Sequence, residues 1–423
     1  MKTAVGRERG PASAVVSALG ALLLIGGAVA PAATADTPRE RAWYLDRMQA
    51  PEMWKVSTGE GVTVALLDTG VIPTVPELTG KVLQGKNFVE PERGAHQDKD
   101  GHGTGMAMLI AGNGANGQGV KGLAPGARIL PLTVFGSSKE AGTNSVTAVM
   151  KALRYAADSD AHIINMSLAI ENYALDNRTR EDFRQVVKYA IRRGKLLLAG
   201  TGNSAEKGND VSYPAATPGV AGIASVDESG TVAPYSVSGP QVALAAPGEG
   251  IPVRCGGGMT GYCDSGGTSQ ATALASASAA LIWSMHPDWT GNQVLRVLMN
   301  TAARPTEGAV PSRYIGYGTV RPRIAVLGDP GDPGPADVNP LVAARAPRAP
   351  RATASAPGGT ATPVAQPVVA DRSPASVARV VWTAAGVVLA AVVAAVAVGA
   401  SRRRRGLSPE SSPHSGPRRT PRA

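Results

Sequence analysis

Residues 62–68 read VTVALLD, six apolar or β-branched residues closed by an aspartate. A run without polar alternation is the pattern of a strand buried on both faces. Asp68 then falls at the carboxyl edge of a sheet, where open α/β folds bind their ligands. Working outward, ARILPLTVF (127–135), HIINMSL (162–168), KLLLAGTG (195–202) and GVAGIASV (219–226) repeat the pattern. Between them, SVTAVMKALRYAAD (145–158) and TREDFRQVVKYAIRRG (179–194) carry helical periodicity. The second has acids in its predicted first turn, Arg192 and Arg193 in its last, and Gly194 as a stop. Strands alternating with helices predict an α/β fold, a doubly wound and mostly parallel sheet flanked by helices.

Two more segments share the glycine-rich setting of Asp68: DGHGT around His102 and GTSQA around Ser269. Each alone is weak, since a strand-end aspartate is commonly a turn residue, a histidine between glycines a loop residue, and a serine before a helix an N-cap. Together they supply a nucleophile, a base and an acid. A serine hydroxyl attacks only with a base in reach, and the base needs a buried carboxylate to fix its tautomer. Asn203, in AGTGNSA, follows another predicted buried strand and offers a carboxamide NH₂ for a developing oxyanion. The small-residue helix after Ser269 adds its own N-terminal amides and dipole.

The order Asp68, His102, Ser269 is that of the subtilisin-like serine proteases, and residues 36–328 resemble that family. The resemblance assigns Asp68, His102 and Ser269 as the catalytic triad and Asn203 as the oxyanion-hole asparagine. It implies peptide-bond hydrolysis through an acyl-enzyme, with protein or peptide substrates and no cofactor. INMSL (164–168) resembles the strand lining the family's substrate cleft, which places Ser167, Leu168 and Ala169 there. No metal site is expected. The whole layout is similar to the mycosins, membrane-anchored subtilases of actinobacterial type VII secretion systems. That similarity rests on the entry RAWYLDRMQAPEMWKVSTGEGVTVALLDTG, a cysteine pair, a proline-rich linker and a terminal apolar helix followed by arginines. The chain departs from the family after GTS: Gln270, Ala271, Thr272 and Ala273 replace an aromatic or Met, two small residues and Pro. Ala169 stands where the substrate strand often has Gly. Residues 36–61 are too short for the usual folding propeptide and are expected to wrap the domain instead.

The ends of the chain set the expected topology. Residues 1–35 read as a signal peptide, with Lys2, Arg7 and Arg9 ahead of an apolar run and Ala33-Thr34-Ala35 as cleavage site; an N-terminal anchor is the alternative. Residues 329–378 hold ten prolines among Ala, Val, Thr and Ser, a composition that buries no core and predicts a linker. Residues 379–400 include the uncharged run Val380–Ala400, long enough for a membrane core of about 30 Å. A core helix would need a domain around it, and none flanks this one. Arg402–Arg405 open a short basic tail, 401–423, and mark the cytoplasmic side. The catalytic domain is therefore expected outside the cell membrane. The formal charge of +10 is concentrated at the ends: residues 36–328 contain 27 basic and 26 acidic side chains, which gives no reason to expect nucleic-acid binding. Cys255 and Cys263, an even pair in an oxidising compartment, predict a disulfide, with two free thiols as the alternative. The expected role is a tethered endopeptidase that processes or supports type VII secretion. The alternative is a structural stabiliser of a membrane secretion complex in which proteolysis is slow or dispensable.

Overall fold

A computed structural model describes residues 36–136, 142–255 and 259–345. In chain order the named elements are α1 (Pro38–Arg41), α2 (Trp43–Arg47), α3 (Ala50–Met53), β1 (Thr63–Asp68), β2 (Lys86–Asn87), α4 (His102–Ala111) and β3 (Arg128–Thr133). There follow α5 (Gly142–Asp158), β4 (Ile163–Met166), β5 (Ile170–Glu171), α6 (Asn177–Arg192), β6 (Leu196–Gly200), β7 (Ser212–Tyr213), β8 (Ala221–Val226) and β9 (Val242–Pro247). The last are β10 (Ile251–Cys255), β11 (Gly261–Ser265), α7 (Thr268–Met285), α8 (Gly291–Thr301), α9 (Pro322–Leu327) and α10 (Pro340–Arg345).

The main sheet runs β2-β3-β1-β4-β6-β8-β9, and every pairing in it is parallel. On one side of β1 the chain places β2 at the edge and then inserts β3 between them; on the other side β4, β6, β8 and β9 follow outward, so the order reverses between β1 and β4. Alternate side chains explain why the strands show no polar alternation. Val64 and Leu66 join the core containing α4, α7 and α8, while Ala65 and Leu67 face the one containing α5 and α6. Both faces are covered, and each buried leucine is worth about 1.5–3 kcal/mol relative to exposure.

Three local readings shift. Helix α6 starts at Asn177, because Asp176 caps it by accepting from Thr179 N at 2.7 Å; Glu181 and Asp182 thus lie in its second turn. Helix α7 starts at Thr268 with Gly267 as its cap, so Ser269 sits inside the first turn rather than at the cap. The segment from residue 329, expected to open a linker, is packed on the domain as far as Arg345. Residues 329–345 form a strap on α8: Arg296 donates to Pro333 O (3.1 Å) and Val338 O (3.0 Å), Asn292 to Ala336 O (2.9 Å), and Leu341 is buried. Side chains of α8 hold this strap by its backbone carbonyls, an arrangement that leaves no apolar pattern in its own sequence.

The N-terminal extension does wrap the domain. Tyr44, Leu45 and Met53 are fully buried, and Trp43 and Trp54 donate their indole N–H to Glu249 O (3.1 Å) and Leu123 O (2.8 Å). The expected signal peptide, the rest of the linker, the apolar run 379–400 and the tail lie outside the described residues. Among the described residues no helix is long and apolar enough to cross a membrane.

Candidate active site

Parallel strands bring their carboxyl ends to one edge, and the candidate residues gather there. Asp68 closes β1, Ser167 follows β4, and Asn203 follows β6. His102 opens α4, and Ser269 lies in the first turn of α7. All five, with Leu168 and Ala169, line one cleft of about 510 Å³.

Asp68 is 2% exposed and His102 33%, and His102 Nδ1 lies 2.7 Å from Asp68 Oδ1. The same carboxylate oxygen accepts from Thr69 N at 2.8 Å, so its direction is fixed by its own backbone turn. With Nδ1 held by the carboxylate, Nε2 is the imidazole nitrogen left to take a proton. The charge of buried Asp68 pushes the His102 pKa up to about 9, against the opposing effect of burial. Only neutral imidazole can act as a base, so kcat/KM is expected to rise with pH through about 9, above the usual histidine range. A pH–rate profile checks this, and a limb at or below 6.5 would contradict it. For stability the sign is opposite. Folding favours the protonated ring, so this contribution is full below about 6.5 and is lost as pH rises through about 9.

Ser269 Oγ donates to Ser167 O at 3.1 Å, and Ser167 Oγ donates back to Ser269 O at 2.9 Å. This reciprocal pair ties the end of β4 to the start of α7. Asn203 is oriented by Thr268, whose N and Oγ1 each donate to Asn203 Oδ1 at 3.0 Å. The carbonyl end of the amide is thereby engaged and its NH₂ is directed into the cleft. A Cβ on Gly267 would lie 3.2 Å from Asn203 Nδ2 and 3.7 Å from Ser269 N. Glycine at 267 thus keeps open a niche bordered by two N–H donors and, at 2.8 Å, by Gln270 Oε1. Replacing Asn203 by Leu is expected to lower kcat by about 10²–10³-fold with little change in KM. Steady-state kinetics on a fluorogenic peptide reads both constants, and a loss confined to KM would oppose the role.

One positioning residue escaped the sequence reading. Asp98 is buried and accepts from Thr69 Oγ1 (2.8 Å), Gly101 N (2.8 Å), Thr104 N (2.8 Å) and Thr104 Oγ1 (2.6 Å). It joins the turn after Asp68 to the start of the His102 helix, where a carboxylate is also favoured by the dipole. Its spacing, four residues before His102 and in a run of charged residues, resembles a solvated loop. Cys255 and Cys263 form a disulfide across β10–β11, with Cα atoms 6.0 Å apart. That hairpin is anchored by buried Glu77, which accepts from Arg254 Nε at 2.9 Å and Tyr262 OH at 2.6 Å. Its Met259 Sδ packs over Gly101, where a Cβ would come within 2.6 Å. The disulfide therefore braces the His102 loop as well as the approach to Ser269.

Residues 59–318 match the Subtilase family of S8 peptidases, and the chain belongs to that family. It is a serine endopeptidase. Over 261 residues, 62% of this chain and 90% of the relative, it is 35% identical to Subtilisin Savinase of Lederbergia lenta. Its structure is similar to that of MycP1 from Mycobacterium smegmatis, with a TM-score of 0.62 and 26% identity, covering 73% of this chain and 89% of that one. It is likewise similar to the MycP3 protease from the type VII (ESX-3) secretion system, with a TM-score of 0.61 and 29% identity, covering 69% and 89%. These neighbours support the resemblance to the mycosins.

Proposed function

We propose that Asp68, His102 and Ser269 form the triad of this peptidase and Asn203 its oxyanion donor. The observation that carries the reading is the 2.7 Å contact of His102 Nδ1 with buried Asp68, in the cleft that also holds Ser269 and Asn203. For reaction, Ser269 Oγ turns from Ser167 O toward His102 Nε2, gives up its proton there and attacks the substrate carbonyl. The oxyanion forms in the niche over Gly267, and His102 then returns the proton to the leaving amine. Water repeats the sequence on the acyl-enzyme. Labelling the full-length protein with a fluorophosphonate and mapping the adduct tests this: modification at Ser269 is expected, and a folded protein that stays unlabelled would refute it.

The proposed setting is the outer face of the cell membrane, with export by residues 1–35, anchoring by Val380–Ala400 and a cytoplasmic tail. Proteolysis of, or in support of, type VII secretion is proposed from the likeness to MycP1 and MycP3. A structural role in the secretion complex is the alternative, motivated by the expected anchor and by Gln270, Ala271, Thr272 and Ala273 after Ser269. Complementing a chromosomal deletion with Ser269→Ala separates the two. Restored secretion supports the structural role, and lost secretion with normal protein levels supports the proteolytic one.

A further inference from the structure

Gln270 directly follows Ser269, replaces the family's aromatic or Met, and is only 4% exposed. Its Nε2 lies 2.8 Å from Ser265 Oγ, while its buried Oε1 has no hydrogen-bond partner among the described residues. That unpartnered end faces a defined place. The point where a Gly267 Cβ would stand is 2.8 Å from Gln270 Oε1, as well as 3.2 Å from Asn203 Nδ2 and 3.7 Å from Ser269 N. The free end of Gln270 thus borders the niche in which the oxyanion is proposed to form.

The two ends of a carboxamide have nearly the same shape and opposite polarity. A buried carbonyl without a donor carries a desolvation penalty, and its lone pairs would repel an oxyanion forming beside it. Ser265 Oγ can donate as readily as it accepts. Turning the amide over keeps the contact with Ser265, now as Ser265 Oγ–H donating to Oε1, and presents NH₂ to the niche. The orphan acceptor disappears, and the developing charge gains a donor.

We propose that Gln270 is a further catalytic residue, a third donor to the oxyanion beside Asn203 Nδ2 and Ser269 N. The inference rests on the reading of Ser269 as nucleophile. A Met or Phe at this position could not donate, so the glutamine adds transition-state stabilisation that those residues lack.

The test compares full-length wild type, Gln270→Met and Gln270→Glu, all checked for equal thermal unfolding. One readout is the rate at which a fluorophosphonate modifies Ser269, which builds negative charge in the niche. The other is the Kd of phenylboronic acid, which Ser269 converts to a tetrahedral anion. Gln270→Met is expected to slow modification about tenfold, the effect of one lost hydrogen bond, and to weaken the boronate in step. Gln270→Glu, nearly isosteric but anionic, is expected to slow modification by at least about a hundredfold above pH 7. Either variant within twofold of wild type in both readouts overturns the proposal; should Gln270→Met fail to fold, Gln270→Glu decides alone. A wild type that does not react at Ser269 would instead overturn the nucleophile assignment, and this proposal with it.

Discussion

Ser269→Ala is expected to lower kcat by about 10⁶-fold, the loss found when the nucleophile of subtilisin itself is removed. Ser167 Oγ, which shares the cleft, is held within 2.9 Å of Ser269 O and of the Asn165 carboxamide, and so is not placed to replace it. Asn203 and the α7 amides would remain, so a small rate above water is expected to persist from oxyanion stabilisation and binding. The fold should be nearly indifferent. Among the described residues Ser269 Oγ makes one hydrogen bond, to Ser167 O, and losing it costs about 1 kcal/mol. Hydrolysis of a fluorogenic peptide set beside thermal unfolding checks both halves. Activity retained within tenfold would remove Ser269 from the mechanism.

Asp68→Asn is expected to lower kcat by about 10⁴-fold and to leave a second mark on the pH profile. Two effects act together. An asparagine can offer its NH₂ to His102 Nδ1, which forces the proton onto Nε2, where it blocks uptake from Ser269. The substitution also removes the charge that chiefly raises the His102 pKa, so the limb near 9 should fall toward 6.5. A merely structural lesion would depress the rate without moving the limb. Residual kcat/KM followed from pH 5 to 10 tells the cases apart, and an unmoved limb would argue against Asp68 as the charge that His102 feels.

What the sequence made legible follows from which forces write themselves into composition. A strand buried on both faces must be apolar throughout, so β1, β3, β4, β6 and β8 could be read from VTVALLD and its counterparts within one or two residues. The edge that collects Asp68, Ser167 and Asn203 followed from the parallel arrangement. Polar tertiary contacts leave no such trace. Asp98 looks like any loop acid until Thr69, Gly101 and Thr104 are seen to converge on it. The strap at 329–345 is held by carbonyls, which every residue has, and its prolines read as linker. The cap of α6 illustrates a local competition, since Asp176 wins the helix start from a turn apparently marked by Glu181 and Asp182.

The strap also decides where mechanical load enters the domain. Asn339 Nδ2 lies 3.4 Å from Gly219 O, just before β8, and Arg345 Nη2 donates to Pro240 O at 2.8 Å, just before β9. In a parallel sheet the starts of strands lie at the edge opposite their ends. A pull on the chain beyond Arg345 is therefore borne by α8 and the rear of the sheet, away from the edge that holds Asp68, Ser167 and Asn203. Force entering there reaches Asp68, His102 and Ser269 only after crossing the whole length of the sheet.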